Sequence, residues 1–492
     1  MNNLSNSKKV IHGVSSQTLV TLVLGVVEIV SFSIMSRLLT KEDFGYYAAI
    51  TAITAVFASF SETGIGSAIV QQKTLTKKYT DNAFTISLIF GGFLSLLLLS
   101  LSGILADSVA DASMKSPLML MSVTLLLNCL TSVSNSIMHR KLQFLRIGSI
   151  NLFSLCVTTG IAVWLAYEGY GYYAIITKAV LSSVLTFILS FCLCNCHFSI
   201  SFDIGTLKNI FSFSGWLMAS VLFRNLAHQI DKLLMPRLFS IDALGSYNRP
   251  KEFVEQISTK LNGIFDMALF PVLSSVQNEK QTIKYAFVRA MYFLNIFAML
   301  LTLLLVFNSS LIIRIFFGEK WLDLNLLLSI ISCNMLLNID GRLSDCFLRS
   351  LAMTKQQFYF RIFEATLNIV GVLIGFLGGM MGVALGVLIT NSISKIVKIL
   401  FVCKIINIGY VECLYVIASS WRFTILYVPI AFLSLVLLPN TVSGNVISAF
   451  VQLSALMLLF FMFPGIVGEK YKIEVHSKVK LLLCRICSKS SV

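Results

Sequence analysis

Apolar runs of about 20 residues recur along almost the whole chain, and this feature restricts its fold more than any other. A run of this length matches the hydrocarbon core of a bilayer, which is about 30 Å thick. Only 12% of the 492 residues are charged, whereas a soluble domain carries about 25%. So few charges cannot cover a water-facing surface. The sequence therefore predicts an all-α polytopic membrane protein.

The apolar runs predict about fourteen transmembrane helices, joined by short segments rich in Gly, Pro, Asn or charge. None of these joints is long enough to form a separate catalytic domain. The first run is too long for the apolar segment of a signal peptide and lacks a cleavage site of small residues, so we expect it to remain as a helix. The predicted spans are 13–36, 44–70, 82–106, 117–138, 147–167, 171–195, 210–236, 246–275, 286–312, 324–347, 358–378, 381–403, 423–440 and 444–465.

Lysine and arginine are distributed unequally between the two sets of joints. About 23 of them fall on one side, with Arg361 and Lys398 among them, against 6 on the other. Cytoplasmic loops are enriched in these residues, so both termini are expected in the cytoplasm, as an even number of spans requires. The net charge of +15 thus indicates orientation rather than nucleic-acid binding. The six residues on the opposite side are Arg37, Lys41, Lys115, Arg237, Arg314 and Lys320.

Two short segments are repeated about 200 residues apart. "SRLLTKEDFGYY" at Ser36 matches "PRLFSIDALGSY" at Pro236, and "VQQKTLTKKY" at Val70 matches "VQNEKQTIKY" at Val276. The repetition predicts two copies of a six-helix unit, and because six is even the copies are parallel, with substrate between them. The predicted divisions are a first lobe at 1–200, a second lobe at 201–407, two further helices at 408–466 and a basic cytoplasmic tail at 467–492.

Charged residues lie in the middle of several predicted spans, where each costs about 2.5–3.5 kcal/mol in lipid. In the seventh span Arg224, His228 and Asp231 share one helical face. The eighth carries a polar stripe about 21 Å long. A single buried charge is compatible with a structural ion pair, whereas such a stripe indicates a hydrated cavity. The stripe comprises Glu252, Glu255, Thr259, Asn262 and Asp266, flanked by Lys260, and other spans add Glu28, Glu62, Lys178, Asp340, Arg342, Asp345 and Glu364.

Catalytic and metal-binding motifs are lacking. The sequence has no P-loop and no acidic pair in a loop, which a glycosyltransferase would need. The cluster "CLCNCH" at Cys192 places four ligands too close together on one helix to surround a tetrahedral ion. We expect no metal and no other cofactor, and movement of a substrate without chemistry.

Several segments carry a family resemblance: "RLLTKEDFGYYAAI", "FSETGIGSAIVQQK", "DKLLMPRLFSIDALGSYNRP", "LFPVLSSVQ" and "FFGEKW". Over residues 10–465 the chain resembles the Wzx-type polysaccharide flippases, in the branch typified by the colanic acid exporter. These belong to the multidrug/oligosaccharidyl-lipid/polysaccharide exporter superfamily. The resemblance implies a fourteen-helix, two-lobed, MATE-like fold in the bacterial inner membrane. It also implies transfer of undecaprenyl-diphosphate-linked oligosaccharide to the periplasmic leaflet, for O-antigen, capsule or exopolysaccharide.

The same resemblance implies a central cavity lined by spans one, two, seven and eight. Arg224, aided by Lys260 or Arg249, is then expected to bind the diphosphate, and Asp231 or Glu28 to couple transport to H⁺ or Na⁺. We expect a monomer that works beside other polysaccharide-assembly proteins. The acidic stripe departs from the cationic cavities usual in this family. Two alternatives therefore stay open: a multidrug antiporter of the same superfamily, and a membrane glycosyltransferase or polymerase. The predicted cavity residues are Glu28, Glu62, Arg224, Asp231, Arg249, Glu252, Glu255, Thr259, Lys260, Asn262 and Asp266.

Overall fold

The regular secondary structure of the described residues is entirely helical. The computed structural model describes residues 2–61, 66, 69, 75–109, 111–141, 143–194, 196, 198–201, 204–275, 280–351, 353–420, 422–437 and 442–462. Its main helices are α1 (Asn2–Leu38), α2 (Lys41–Ser61), α3 (Lys77–Val109), α4 (Lys115–Arg140), α5 (Phe144–Tyr167), α6 (Tyr172–Leu193), α7 (Ile204–Leu238), α8 (Ile241–Ser275), α9 (Lys280–Phe307), α10 (Asn325–Ser350), α11 (Thr354–Gly375), α12 (Gly379–Ile405), α13 (Tyr410–Ser420), α14 (Arg422–Leu437) and α15 (Val442–Met462).

Helices α1 to α12 correspond one by one to the first twelve predicted spans, and α14 and α15 to the last two. Nine segments of the described residues are long and apolar enough to cross a membrane, and one of them, Lys355–Ile405, contains both α11 and α12. The chain is thus a multi-pass membrane protein. The number fourteen remains a prediction. Helix α13 lies where a joint was expected, because its 11 residues are too few to span a bilayer.

The two halves of the chain pack by the same scheme. In the first half α1 packs on α5, α2 and α3 on α4, and α6 on both α4 and α5. Six helices later, α7 packs on α11, α8 and α9 on α10, and α12 on both α10 and α11. The predicted architecture of two parallel six-helix lobes is confirmed. The exact division points remain predictions.

The repeated motif places two glycines at the crossing of the lobes. Gly45 of α2 and Gly245 of α8 lie 200 residues apart, and each packs against the backbone of the other lobe. A Cβ atom on Gly45 would lie 2.0 Å from the carbonyl oxygen of Ile241, and one on Gly245 would lie 1.7 Å from that of Lys41. Only glycine permits this approach of two backbones. The duplicated hairpins therefore form a reciprocal contact between the lobes.

A short segment between α9 and α10 covers the end of this crossing. It contains one-turn helices within 309–324, and Trp321 is fully buried, with its indole Nε1 donating to the carbonyl oxygen of Ser36 (3.0 Å). Arg37 donates to the carbonyl oxygen of Ile315 (2.9 Å), and Lys320 to that of Arg37 (3.1 Å). We call the side of the membrane where α1 meets α2 the hairpin face. On this face the lobes are joined by several hydrogen bonds.

The last two helices are attached to the second lobe by buried polar groups. Gln452 of α15 is fully buried and accepts from Asn308 at the end of α9 (2.7 Å). Its amide donates to Ser434 of α14 (3.0 Å). Interhelical hydrogen bonds of this kind hold helices together in lipid.

Candidate functional site

A cavity of about 190 Å³ lies between the lobes, where α1, α2, α6 and α8 meet. Its lining includes Glu28, Tyr47, Lys178, Arg249 and Glu252. Both halves of the chain contribute, as expected for a substrate site between repeats. Spans one, two and eight were predicted to line the cavity; the structure adds α6, which the prediction omitted, and places none of the α7 residues in its described lining.

Two ion pairs neutralise the carboxylates of this cavity. Glu28 of α1 pairs with Lys260 of α8, with 2.9 Å between Oε2 and Nζ. Glu252 pairs with Arg249, one turn earlier in α8, at 3.0 Å. The predicted cavity residues Glu28, Arg249, Glu252 and Lys260 are thus brought together by the fold.

Arg249 joins the second lobe to the first. Its guanidinium donates to the Ser36 hydroxyl (2.9 Å from Nε) and to the Phe32 carbonyl oxygen (2.7 Å from Nη2). Its carbon Cζ lies 3.4 Å from the ring centroid of Phe32 and 4.0 Å from that of Phe44. Stacking of a guanidinium between aromatic rings is favourable when water is excluded. The side chain is almost completely buried, so it closes the cavity on the hairpin-face side.

Lys178 of α6 is the one cation of this cavity region that lacks a carboxylate partner among the described residues. Its ammonium donates to the Ser31 hydroxyl, 2.5 Å away. With Arg249 and Lys260, three cations therefore face the two carboxylates of Glu28 and Glu252. Among the described residues of this region, one positive charge is therefore in excess. The sequence signal was a single lysine in an otherwise apolar helix, which the prediction noted but did not include in the site.

A second cavity, of about 50 Å³, lies within the second lobe among α7, α8, α10, α11 and α12. Asp231 accepts from Lys251 (2.5 Å) and from the Tyr247 hydroxyl (2.9 Å). Glu255 pairs with His228 at 3.4 Å and lies 3.8 Å from Lys251. The rest of the lining is rich in amides, namely those of Asn334, Asn338, Asn368 and Asn391.

The predicted polar stripe of α8 is divided between these two cavities. Glu252 faces the cavity between the lobes, whereas Glu255 faces the cavity inside the second lobe. The expectation of one stripe lining one hydrated passage is wrong for this pair, because residues three apart differ in direction by about 60° and meet different neighbours. Thr259 is exposed.

The remaining predicted residues lie elsewhere or cannot be placed. Arg224 is absent from the described lining of both cavities. Its Nε donates to Asn225 Oδ1 (3.4 Å), and Asn225 Nδ2 donates to the hydroxyl of Ser59 in α2 (2.8 Å). Asn262 and Asp266 lie in α8, but their side chains fall outside the described residues, as does all of Glu62. The proposed roles of these four residues remain predictions.

A buried ionic network extends from the second cavity. Glu364, which lines that cavity, pairs with Arg361 (2.8 Å) and with Lys395. Asp345 pairs with Arg361 and with Lys398 (3.1 Å). Arg361 and Lys398, which were counted with the cytoplasmic side, are nearly inaccessible, because helical neighbours supply carboxylates that the linear pattern does not reveal; their side of the membrane remains a prediction.

Around the second cavity, the described carboxylates and cations that form ion pairs are equal in number. Without His228, four carboxylates pair with four lysine and arginine side chains among the described residues around the second cavity. They are Asp231, Glu255, Asp345, Glu364, Lys251, Arg361, Lys395 and Lys398.

Comparison with known proteins identifies the family. Residues 34–326, more than half of the chain, match the family described as "Polysaccharide biosynthesis protein". The chain belongs to this family. Among similar members, the teichuronic acid biosynthesis protein TuaB of Bacillus subtilis (strain 168) is 24% identical over 345 residues, which cover 68% of this chain and 71% of TuaB. The lipopolysaccharide biosynthesis protein WzxC of Escherichia coli (strain K12) is 22% identical over 414 residues, 82% of each chain. The resemblance to Wzx-type proteins is confirmed.

Solved structures share the fold of this polysaccharide biosynthesis family member. The lipid II flippase MurJ in an inward closed conformation aligns with a TM-score of 0.70 and 16% identity, covering 91% of this chain and 98% of MurJ. An inward-facing multidrug resistance MATE family transporter of the MOP superfamily aligns with a TM-score of 0.66 and 15% identity, covering 79% of this chain and 98% of that one. The predicted MATE-like fold class is confirmed.

Proposed function

We propose that this protein moves an undecaprenyl-diphosphate-linked oligosaccharide across the bacterial inner membrane by exposing the cavity between its lobes to each side in turn. The excess positive charge on Lys178 carries the proposal. A cation within a membrane protein is costly and usually functional, and here it lacks a carboxylate partner among the described residues. An anionic diphosphate would supply a negatively charged partner in its place. The names of the relatives, which concern polysaccharide and lipopolysaccharide biosynthesis, support the same substrate class.

The charge of the cavity favours this substrate over a cationic drug. Like charges repel strongly where water is scarce. Among the described residues, the charged groups that line the cavity and their ion-pair partners comprise three cations and two carboxylates. Around the second cavity, too, every described carboxylate has a lysine or arginine partner, so none is in surplus. A multidrug antiporter for cationic amphiphiles therefore receives less support, although it shares the fold.

The cavity must enlarge to accept such a substrate. Ligand sites usually have volumes of about 300–1,000 Å³, whereas this cavity has about 190 Å³. We propose that the lobes rock apart, so that the bonds of Arg249 and Trp321 on the hairpin face break when that face opens. The charge distribution supports a periplasmic hairpin face and cytoplasmic termini. The polyprenyl chain would remain in lipid during the transfer.

Ion coupling would act on the pairs that link helices. We propose that H⁺ or Na⁺ at Glu28 or Asp231 weakens the bond to Lys260 or Lys251 respectively, and so lowers the barrier to rocking. Glu28 and Lys260 belong to different lobes, which makes this pair suited to coupling. We further propose that the protein acts as a monomer without catalytic chemistry, beside other polysaccharide-assembly proteins.

Replacing Lys178 with methionine is expected to reduce surface polysaccharide about 10- to 100-fold, because a hydrogen bond to a charged group contributes about 1.5–3 kcal/mol. Methionine retains the length of the side chain and removes its charge. The measurement is surface polymer in a deletion strain complemented with each variant at equal protein level in the membrane.

Lys178→Arg, which keeps the charge, should retain most of the activity. Lys115→Met removes an exposed positive charge elsewhere and serves as the matched control. Normal polymer with Lys178→Met would contradict the diphosphate role. Drug sensitivity of the deletion strain, with normal surface polymer, would instead favour the multidrug antiporter.

A further inference from the structure

Three tyrosine rings form a row at the hairpin face, beside the cavity between the lobes. The ring centroids of Tyr46 and Tyr172 lie 4.8 Å apart, and those of Tyr172 and Tyr173 lie 4.7 Å apart. The row and the cavity share two helices, α2 and α6, whose residues Tyr47 and Ile175 belong to the lining of the cavity. Tyr46 precedes Tyr47, and Tyr172 lies one turn of α6 before Ile175. The row thus stands where a substrate would extend from the cavity.

The start of α6 is held in place for this arrangement. The carboxylate of Asp43 accepts from the backbone N–H of Tyr172 (2.8 Å). Gly171 has a φ of +55° and passes so close that a Cβ atom would lie 2.6 Å from Asp43 Oδ1. The carboxylate therefore fixes the first turn of α6, and with it two of the three rings.

A carboxylate borders the row. The hydroxyl of Tyr46 donates to Asp111 Oδ2 (3.2 Å), and that of Ser113 donates to the same atom (2.9 Å). Hydrogen bonds from Ser113 hold the pKa of Asp111 below its usual value. Asp111 is exposed, so it remains an ionised acceptor with free capacity for hydroxyl donors.

We propose that the row of Tyr46, Tyr172 and Tyr173, with Asp111 at its edge, binds sugar units of the transported molecule. This inference rests on the proposed function, because the diphosphate at Lys178 would position the saccharide. The C–H face of a pyranose is apolar and weakly positive, which suits the negative face of an aromatic ring. Tyr172 is stacked against both of its neighbours, so the sugar would stack on a ring at an end of the row, and Tyr172 would hold that ring in place. Carboxylates accept from its hydroxyl groups. Six residues of α6 separate Tyr172 from Lys178, a rise of about 9 Å.

The row differs from a belt of aromatic residues at the membrane surface. Belt residues stand at the lipid boundary with the ring amid the headgroups. Trp164 and Tyr167 fit that description, since they are 61% and 81% exposed. The rings of the row are instead stacked on one another and partly buried, and the hydroxyl of Tyr46 donates to Asp111. Tyr167 therefore provides a matched control at the same end of the neighbouring helix.

Binding of two lipids to the purified full-length protein tests the inference. The probes are undecaprenyl diphosphate, and the undecaprenyl-diphosphate-linked oligosaccharide extracted from membranes of the producing strain. We expect Tyr172→Ala to weaken binding of the sugar-bearing lipid about tenfold and to leave undecaprenyl diphosphate unaffected. Tyr172→Phe, which keeps the ring face, and Tyr167→Ala should match the wild type. Asp111→Asn keeps an oxygen that can accept from the Ser113 backbone N–H at this helix start and should weaken binding of the sugar-bearing lipid only.

The outcomes separate this inference from the function on which it rests. If Tyr172→Ala weakened binding of both lipids equally, the sugar site alone would be overturned. The same holds if neither Tyr172→Ala nor Asp111→Asn weakened binding of the sugar-bearing lipid. Equal affinity of the wild type for both lipids would do the same. Failure of the wild type to bind either lipid would overturn the proposed function together with the sugar site.

Discussion

Replacing Gly245 with alanine is expected to reduce transport about 10- to 100-fold. The new methyl group would lie 1.7 Å from the Lys41 carbonyl oxygen and 2.8 Å from the Gly45 nitrogen, both backbone atoms. Backbone cannot move aside as a flexible side chain can, and overpacking costs about 1–3 kcal/mol. That cost falls on the conformation in which the hairpins cross. The population of the conformation with a closed hairpin face therefore falls, by roughly the same factor as transport is slowed.

Two measurements test this expectation. Surface polymer reports transport, and the rate at which a membrane-impermeant thiol reagent modifies Met35→Cys reports opening of the hairpin face, because Met35 lines the cavity and is 3% exposed. Gly245→Ala should lower the first and raise the second. Gly45→Ala should act in the same way, since its Cβ atom would lie 2.0 Å from the Ile241 carbonyl oxygen.

Gly160→Ala is the matched control for Gly245→Ala. Gly160 also lies inside a helix, α5, but a Cβ atom there would meet nothing within 4 Å. Alanine has the higher helix propensity by about 1 kcal/mol, so this variant should be neutral or slightly stabilised. Wild-type transport and thiol reactivity in Gly245→Ala would show that the two hairpin backbones can move apart without effect, and that their contact takes no part in closing the hairpin face.

Replacing Asp345 with asparagine is expected to destabilise the protein by about 3–5 kcal/mol, because removal of one member of a buried ionic network leaves uncompensated charge. Three cations would then share the single carboxylate of Glu364. Asp345 is 4% exposed, and its partners Arg361 and Lys398 are 8% and 1% exposed. Thermal unfolding of the purified protein in detergent provides the measurement.

A double mutant separates charge balance from packing. Asp345→Asn combined with Lys398→Met removes one charge of each sign and should recover a large part of the lost stability. Asp323→Asn is the control, since its carboxylate pairs with Lys41 at 2.6 Å with a side chain that is 57% exposed. Exposed pairs contribute about 0–1 kcal/mol. Equal effects of Asp345→Asn and Asp323→Asn would contradict a structural role for the buried network.

Helix positions and the duplication could be predicted well from the sequence, whereas the partners of the charged residues could not. Arg361 shows why. It lies seven residues into α11, so by linear position it resembles a residue near the membrane surface. Its carboxylate partners come from α10 and from its own helix, and the pairing with Asp345 depends on which helices pack together. A short amphipathic segment such as α13 was also missed, because the span criterion rests on apolar length.

The candidate site was predicted in part. Glu28, Arg249, Glu252 and Lys260 do meet between the lobes. Lys178 was undervalued because nothing in its own helix indicates that α6 faces this cavity. The tyrosine row was not predicted at all: Tyr46 and Tyr172 lie far apart in the chain, and their stacking arises only when α2 and α6 pack side by side.

The sequence by itself determined that this protein lies in a lipid bilayer, the approximate number of its helices and the parallel order of its two halves. These follow from apolar length and from repetition, which are properties of the linear chain. Only the tertiary structure decided that Glu252 and Glu255 face different cavities, that Gly45 and Gly245 cross each other's backbone, and that Lys178 lacks a carboxylate partner among the described residues. The side chains of one helix point in several directions, and the environment of each depends on neighbouring helices that are distant in sequence.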